Sequence, residues 1–211
     1  MVYRTQDRGA RRDFWRRVVG FHRISTPWYL LIFFIFPVVL AIGFLLYSVL
    51  GNPLPEFETL AQIASNPASL MGLVIIGIVG GALSEELGWR GFAMDMLHDR
   101  WPPLKSSLLI APFWFGWHLP LFFMEGTTQS AWGIGTLSFW LFVVTIVPLS
   151  ILFTWAYAQN RRSILAPILL HFAYNFTLSL VHPLPRTVNL LHTTGLLIAA
   201  AAVVLFADSR P

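Results

Sequence analysis

The chain has 211 residues, of which 56% are hydrophobic and only 11% are charged, and its mean hydropathy is +0.66. About one quarter of the residues in a soluble domain are charged, so this composition excludes a plain soluble globular protein. Cysteine is absent, which also excludes disulfides, thiolate metal sites and a cysteine nucleophile.

A basic segment of 27 residues precedes the first apolar stretch. Seven of the 14 Lys and Arg residues lie in it: Arg4, Arg8, Arg11, Arg12, Arg16, Arg17 and Arg23. Basic residues directly before an apolar segment typically stay on the cytoplasmic side of the membrane, where they contact anionic lipid headgroups; this is the positive-inside rule. We therefore predict a cytoplasmic segment over 1–27 and no nucleic-acid partner. The apolar run Trp28–Leu50 exceeds the 7–15 residues of a signal-peptide core, so it is predicted to be a retained first span.

Six windows without a charged residue follow one another along the chain. They are 19 to 35 residues long: 24–55, 59–84, 106–124, 126–160, 163–185 and 187–207. A transmembrane helix needs about 20 apolar residues, whereas the strands of a membrane β-barrel alternate in polarity. The sequence therefore predicts an all-α, polytopic membrane protein with about six to eight transmembrane helices around a polar cavity, and a single membrane domain over 28–211.

The basic residues also predict an orientation. Arg100 and Lys105, like the pair Arg161–Arg162, fall between windows on the side of the N-terminus, whereas the loop containing Glu56 has no Lys or Arg. Both termini are then cytoplasmic, and Arg186 is the one exception to the rule. The window 126–160 is longer than one span needs, so Gly126–Gly135 is predicted to be a loop or an interfacial helix.

The first intramembrane polar group lies at the end of the second window. Glu86 and Arg90 are four residues apart with the acid first, the favourable order for an intrahelical ion pair. Glu85 projects about 100° away from Glu86 and is free to face another partner. The alternative is a solvated helix end with an ordinary salt bridge.

Two further polar groups lie inside uncharged windows. His118 follows Trp114 by four residues, and His171 precedes Asn175 by four, so the members of each pair share a helical face. An ionisable side chain at membrane depth costs about 2.5–3.5 kcal/mol on insertion scales and is a functional candidate for that reason. The alternatives are a core histidine bonded to a backbone carbonyl for His118 and an interhelical clamp for the second pair.

The depth of each polar residue along its helix predicts that these side chains lie close together. At 1.5 Å per residue, His118 lies about 18 Å and His171 about 12 Å from the cytoplasmic ends of their helices. We therefore expect Glu85, His118, His171 and Asn175 to line one cavity that opens toward the cytoplasmic side.

Such a group of side chains suits hydrolysis of a peptide bond. A carboxylate and a histidine together orient a water molecule and accept its proton, while a second histidine and an amide donate hydrogen bonds to an oxyanion. Alternatively, Glu85, His118 and His171 supply three ligands for a catalytic Zn²⁺ with water in the fourth position. The sequence contains no H-E-x-x-H motif, so such a site is not that of a zincin.

The order of these motifs resembles the CPBP intramembrane protease family, which is related to the type II CAAX prenyl endopeptidases and is also called Abi. The resemblance covers roughly residues 81–176 and rests on three motifs on successive apolar segments: Glu85-Glu86-x-x-x-Arg90, Trp114 with His118, and His171-x-x-x-Asn175. Trp114 stands where the prototype motif has Phe, which retains a large aromatic side chain.

The resemblance implies a helical intramembrane endopeptidase in which Glu85 activates water with the help of His118. His171 and Asn175 would stabilise the oxyanion. The candidate catalytic residues are thus Glu85, Glu86, His118, His171 and Asn175, and Arg90 and Trp114 would position the substrate or support the structure. Metal-dependent and metal-free mechanisms both stay open.

The predicted function is hydrolysis of a membrane-associated or CAAX-like peptide or protein substrate in a prokaryotic cell membrane. Two alternatives use the same polar cluster: a non-catalytic immunity or scaffold protein, and a small transporter. The sequence does not indicate an oligomeric state.

Overall fold

Helices form almost all of residues 8–207, the part of the chain that the computed structural model describes, and no strand occurs among these residues. The helices are α1 Arg8–Val19, α2 Thr26–Val49, α3 Glu58–Ser65, α4 Ala68–His98, α5 Pro103–His118, α6 Thr128–Trp132, α7 Leu137–Gln159, α8 Leu165–Val181 and α9 Arg186–Ala207. The predicted all-α, polytopic fold class is confirmed.

Five helices are long and apolar enough to cross a membrane. They are α2, α4, α7, α9 and α5 with its continuation Leu119–Phe123, a 3-10 segment that begins just before Pro120. Helix α8 is apolar but shorter, at 17 residues. With α8 included, the apolar helices match the six uncharged windows one to one. The predicted loop or interfacial helix at Gly126–Gly135 contains the short helix α6.

Helix α4 carries the Glu-Glu motif and contains two π-helical segments. Ile76–Leu83 and Trp89–Ala93 are π-helical, and Ser84–Gly88 between them is α-helical. Because this central turn is regular, Glu85 and Glu86 project about 100° apart, as the sequence predicted. Short π-helical segments within α-helices frequently mark functional sites.

Helix α7 lies at the centre of the bundle and packs against α5, α8 and α9. Its apolar window is 56% buried, the largest share among the five long helices, and Leu152, Phe153 and Tyr157 are completely covered. Helix α2 covers α8 and α9 with Ile32 and Phe36. Elsewhere large apolar side chains stay exposed, such as Ile76 on α4 and Ile198 on α9, as expected of lipid-facing surfaces.

Helix α1 and the α7–α8 loop, with Arg161 and Arg162, lie at one end of the bundle, which is called the basic end. At the basic end, the Ile164 amide donates to the Arg17 carbonyl over 3.0 Å and the Arg23 guanidinium donates to the Arg161 carbonyl over 2.7 Å, so α1 lies against the α7–α8 loop. At the opposite end, α6 and the α8–α9 turn line one depression that includes Thr128 and His182.

Helices α2 and α9 approach each other most closely at Gly195. A Cβ atom there would lie 2.7 Å from Cγ1 of Val39. We predict that Gly195→Ala lowers the free energy of unfolding by about 1–3 kcal/mol through overpacking, measured as a lower melting temperature in detergent. Gly72→Ala is the control, because a Cβ at that helical glycine meets nothing within 4 Å. Equal melting temperatures for the two variants would contradict this helix contact.

Candidate active site

A cavity of about 430 Å³ lies between α4, α5, α7 and α8. Its walls include the side chains predicted to converge, together with the aromatic residue of the second motif: Glu85, Trp114, His118, His171 and Asn175. The three motifs, which are far apart in the sequence, therefore meet around one cavity.

Trp114 fixes the relation between Glu85 and His118. Its indole Nε1 donates to Glu85 Oε2 over 2.7 Å, and its carbonyl oxygen lies 2.8 Å from His118 Nδ1. A carbonyl only accepts, so Nδ1 carries the proton and Nε2 of the neutral ring presents its lone pair. This Nε2 lies 3.7 Å from Glu85 Oε1, which is too far for a direct hydrogen bond. A water molecule on the cavity side of the two atoms, about 2.8 Å from each, can donate to both.

A second hydrogen-bond network, around Glu86 and Arg90, lies next to the network of Glu85, Trp114 and His118. Arg90 Nη1 donates to both carboxylate oxygens of Glu86 at 3.0 Å, and His171 Nδ1 lies 2.9 Å from Glu86 Oε1. The Glu86 and Arg90 side chains are completely buried. Arg90 Nη2 reaches the carbonyl and hydroxyl oxygens of Ser150 at 3.4 Å, and the Ser150 hydroxyl donates to the Ser107 carbonyl over 2.8 Å.

Aromatic rings separate the buried cation from the apolar core. The Arg90 guanidinium carbon lies 4.9 Å from the ring centre of Trp114 and 5.1 Å from that of Phe153, distances at which a cation is attracted to a ring face. The His171 ring lies 5.6 Å from Trp114 and 5.3 Å from Phe153. Trp114 therefore contacts both networks.

Glu86 has a different role from Glu85. It was grouped with the candidate catalytic residues from the sequence, but the structure buries it completely and leaves it out of the cavity wall. Its oxygens already accept from Arg90 and His171. We therefore interpret Glu86 as a positioning residue that orients the His171 ring.

Asn175 presents a free amide to the cavity. Its side chain makes no hydrogen bond with another residue of the described range 8–207, since only its backbone carbonyl accepts, from Ser179. The amide nitrogen would lie 3.4 Å from a Cβ atom placed on Gly81, so the glycine at this position keeps space open beside the amide.

The comparison with known families agrees with these motifs. The sequence matches the family described as "Type II CAAX prenyl endopeptidase Rce1-like" over residues 67–177, just over half of the chain. The chain belongs to this family. The CPBP resemblance is thereby confirmed, and the matched region includes all three motifs, from Glu85 to Asn175.

A curated relative supports the same assignment. CAAX prenyl protease 2 of the archaeon Methanococcus maripaludis is 28% identical over 209 residues, which cover 98% of this chain and 75% of that protein. Likeness to this relative therefore extends beyond the motifs to nearly the whole sequence.

The predicted zinc ligands do not fit a metal site in this family member. No group of three or more His, Asp or Glu side chains within residues 8–207 is arranged to hold a metal ion. Glu85 faces His118, while His171 is bonded to Glu86 through Nδ1. Glu85, His118 and His171 thus share a cavity without converging on one point, and no step of the proposed reaction is assigned to a metal.

The cavity extends to the end of the bundle opposite the basic end. The sequence placed its mouth at the cytoplasmic end, identified by the basic residues. In the structure the cavity wall extends from Glu85, His118 and His171 to Thr128 and Gln129 of α6 and to His182 at the end of α8. These last three residues lie at the opposite end of the bundle. Depth along a helix shows how far a side chain is from each end but not which end is open, so the cytoplasmic location of the mouth stays a prediction.

Some residues of the site were missed from the sequence. Ser107, Ser150 and Phe153 surround the buried guanidinium, yet they lie on α5 and α7 without a motif or characteristic spacing. Serine and phenylalanine are common in membrane helices, so only the packing of α4 against α5 and α7 reveals their role.

The buried pair gives a stability prediction. Arg90→Leu removes the partner of a fully buried carboxylate, so we expect the free energy of unfolding to fall by about 3–5 kcal/mol, measured by thermal or denaturant unfolding in detergent. Replacing both Glu86 and Arg90 by Leu should cost less than Arg90→Leu alone, because no uncompensated charge is left. Arg100→Leu, at an exposed position, is the control. A loss from Arg90→Leu no larger than that of the control would contradict the pairing.

The position of the mouth gives a second prediction. Because the chain contains no cysteine, single-cysteine variants report one site each. If the basic end is cytoplasmic, a membrane-impermeant maleimide added to intact cells should label Thr128→Cys but not Arg12→Cys. Labelling of Arg12→Cys alone would reverse the predicted orientation and place the mouth of the cavity on the cytoplasmic side. Both variants should be labelled after the cells are opened.

Proposed function

We propose that this chain is an intramembrane endopeptidase that hydrolyses a peptide bond with a water molecule held between Glu85 and His118. The observation that carries the proposal is the 3.7 Å gap between Glu85 Oε1 and His118 Nε2, both held in place by Trp114 at the wall of the cavity. Membership of a family of prenyl endopeptidases supports the reaction class.

The water is the nucleophile in this mechanism. It donates one proton to Glu85 and one to the lone pair of His118, which directs an oxygen lone pair toward the substrate carbonyl carbon. As the new C–O bond forms, Glu85 accepts the proton of the attacking water. Trp114 donates to the other carboxylate oxygen throughout, so the free oxygen stays aimed at the water.

The oxyanion that forms needs donors on the other side of the cavity. We assign this role to the Asn175 amide and Nε2 of His171, because both residues line the cavity. Preorganised donors of this kind lower the barrier by stabilising charge that develops in the transition state. Because Nδ1 of His171 already donates to Glu86, a donating Nε2 requires the ring to carry both protons. Glu86 already balances the charge of Arg90, so the oxyanion itself would balance the charge of the ring.

The C–N bond breaks when the leaving nitrogen gains a proton. The proton that Glu85 took from the water is the available source. The products are a carboxylic acid and an amine, which together carry both protons of the water, and Glu85 is again ionised for the next water molecule. All proton transfers involve side chains of this chain, with no metal in the sequence of steps.

The substrate is proposed to be a membrane-associated peptide, in keeping with the name of the relative, CAAX prenyl protease 2. The cavity walls around Glu85 and His118 are mainly neutral and apolar. They include Leu73, Ile76 and Gly77 on α4 and Leu121 beyond α5. Such walls favour an uncharged, apolar chain segment. They give less support to a transporter, in which polar side chains line a continuous path across the membrane.

The mechanism predicts that Glu85→Gln and His118→Phe each lower kcat by at least about 10²-fold, because each removes an acceptor for the water proton. The assay is cleavage of a membrane-anchored reporter peptide by purified protein in detergent or nanodiscs. Glu125→Gln, at an exposed carboxylate outside the cavity, should retain full activity. If Glu85→Gln keeps full activity, the mechanism is wrong.

Two controls separate this proposal from its alternatives. The melting temperatures of Glu85→Gln and the parent protein should agree within a few degrees, whereas a merely structural clamp would lose stability instead. Activity should survive treatment with a chelator such as EDTA. Loss of activity on chelation that returns with Zn²⁺ would favour the metal-dependent alternative.

A further inference from the structure

Helix α1 lies outside the cavity and presents two different faces. Phe14, Arg17 and Val18 face the bundle: Arg17 and Val18 are buried, and the Phe14 ring lies 2.9 Å from the position of a Cβ atom on Gly91. This contact is possible because Gly91, next to Arg90 on α4, has no side chain. The inner face of α1 is therefore fitted to the helix that carries the candidate catalytic residues.

Arg17 binds α4 through a carboxylate. Its Nη1 donates to Asp95 Oδ1 over 2.8 Å, its Nη2 pairs with Asp95 Oδ2, and Arg162 Nη2 reaches Asp95 Oδ1 at 2.9 Å. Burial alone lowers the pKa of Arg17, but the hydrogen bond and the charge of Asp95 more than offset burial and raise it, so the guanidinium stays charged. This ion pair connects α1 to α4 ten residues after Glu85.

The outer face of α1 combines cations with apolar side chains. Arg8, Arg12 and Arg16 follow one another at intervals of four residues, and Trp15 and Val19 lie on the same face of the helix. Trp15 is 46% and Val19 66% exposed. None of these three arginines makes an ion pair within residues 8–207, whereas Asp13 pairs with Arg17 and Arg23.

This face is unfavourable in water and favourable on a lipid surface. Like charges at intervals of four residues repel one another along a helix, and exposed Trp and Val gain nothing from water. Anionic headgroups neutralise the arginines, while the boundary between headgroups and acyl chains accepts the apolar side chains. A soluble anion would match the charges alone, so Trp15 and Val19 favour the lipid.

We propose that the outer face of α1 binds anionic phospholipid headgroups and that, through Arg17 and Asp95, this binding holds the half of α4 that follows Glu85. Lipid charge then regulates the order of the helix on which Glu85 and Glu86 lie. Neither part requires the protein to be a protease, and both are measured without an activity assay.

Binding is tested with full-length protein in nanodiscs of phosphatidylcholine alone or mixed with phosphatidylglycerol. A bimane probe on Val19→Cys, the only cysteine in the chain, reports contact with lipids that carry a nitroxide on the headgroup. We expect stronger quenching with phosphatidylglycerol, and we expect the change of Arg8, Arg12 and Arg16 to Gln to remove that increase. Three arginines at about 1 kcal/mol each correspond to a docking constant on the order of a hundredfold weaker.

Two controls and two contrary results define this test. Leu50→Cys, an exposed position at the opposite end of α2, should show no dependence on phosphatidylglycerol. Replacing Arg100 and Lys105 by Gln removes charge from the basic end but should leave the Val19 signal unchanged. Quenching that is the same with and without phosphatidylglycerol, and the same with and without the three arginines, would overturn the proposal. So would loss of the phosphatidylglycerol-dependent quenching when inorganic phosphate is added at constant ionic strength, which would indicate a soluble-anion site.

The connection to α4 is tested by hydrogen exchange. Amides of Trp89–His98 should exchange several-fold more slowly in nanodiscs with phosphatidylglycerol than without it. Arg17→Gln should remove this difference while leaving the quenching of the Val19 probe in place. Equal exchange in the two lipids would show that α1 binds lipid without holding α4, and would overturn the regulatory part of the proposal.

Discussion

Burial of the Arg90 guanidinium is the constraint on which the arrangement of the site depends. A charged side chain without a partner is costly in a membrane protein, and Arg90 is completely covered. Glu86 balances its charge, Ser150 accepts from it, and the rings of Trp114 and Phe153 lie about 5 Å from its guanidinium carbon. These partners come from α4 and α7 and, through Trp114, from α5, so satisfying one cation fixes three helices relative to one another.

The position of His171 follows from the same pair. Glu86 Oε1 accepts from both Arg90 and the His171 ring, so α8 is held to α4 by the carboxylate that neutralises the guanidinium. This explains why two adjacent glutamates are needed. The Glu86 carboxylate accepts from two other side chains and is not available to bind water. Glu85, about 100° away, keeps one oxygen free for the cavity.

Local spacing explains which parts of the site were predictable. A separation of four residues on a helix correctly indicated the contacts between Glu86 and Arg90 and between Trp114 and His118, because helical geometry alone determines them. The apolar windows indicated the helices for the same reason. Contacts between helices left no such pattern: the hydroxyl of Ser150 and the inward direction of Glu86 depend on how α4 packs against α7, which no spacing encodes.

The two ends of α4 have different surroundings, and this difference relates the cavity to the membrane. After Glu85, the helix is held by Arg17, by Phe14 at Gly91 and by Arg162. Before Glu85, the helix packs against α8, with Gly77 next to Phe172, and its other sides are exposed, as at Ile76, or line the cavity. Glu85 lies where the two halves join. The half that follows it is fixed by ion pairs at the basic end, and the half that precedes it forms the cavity wall, so the carboxylate is held at the boundary between them.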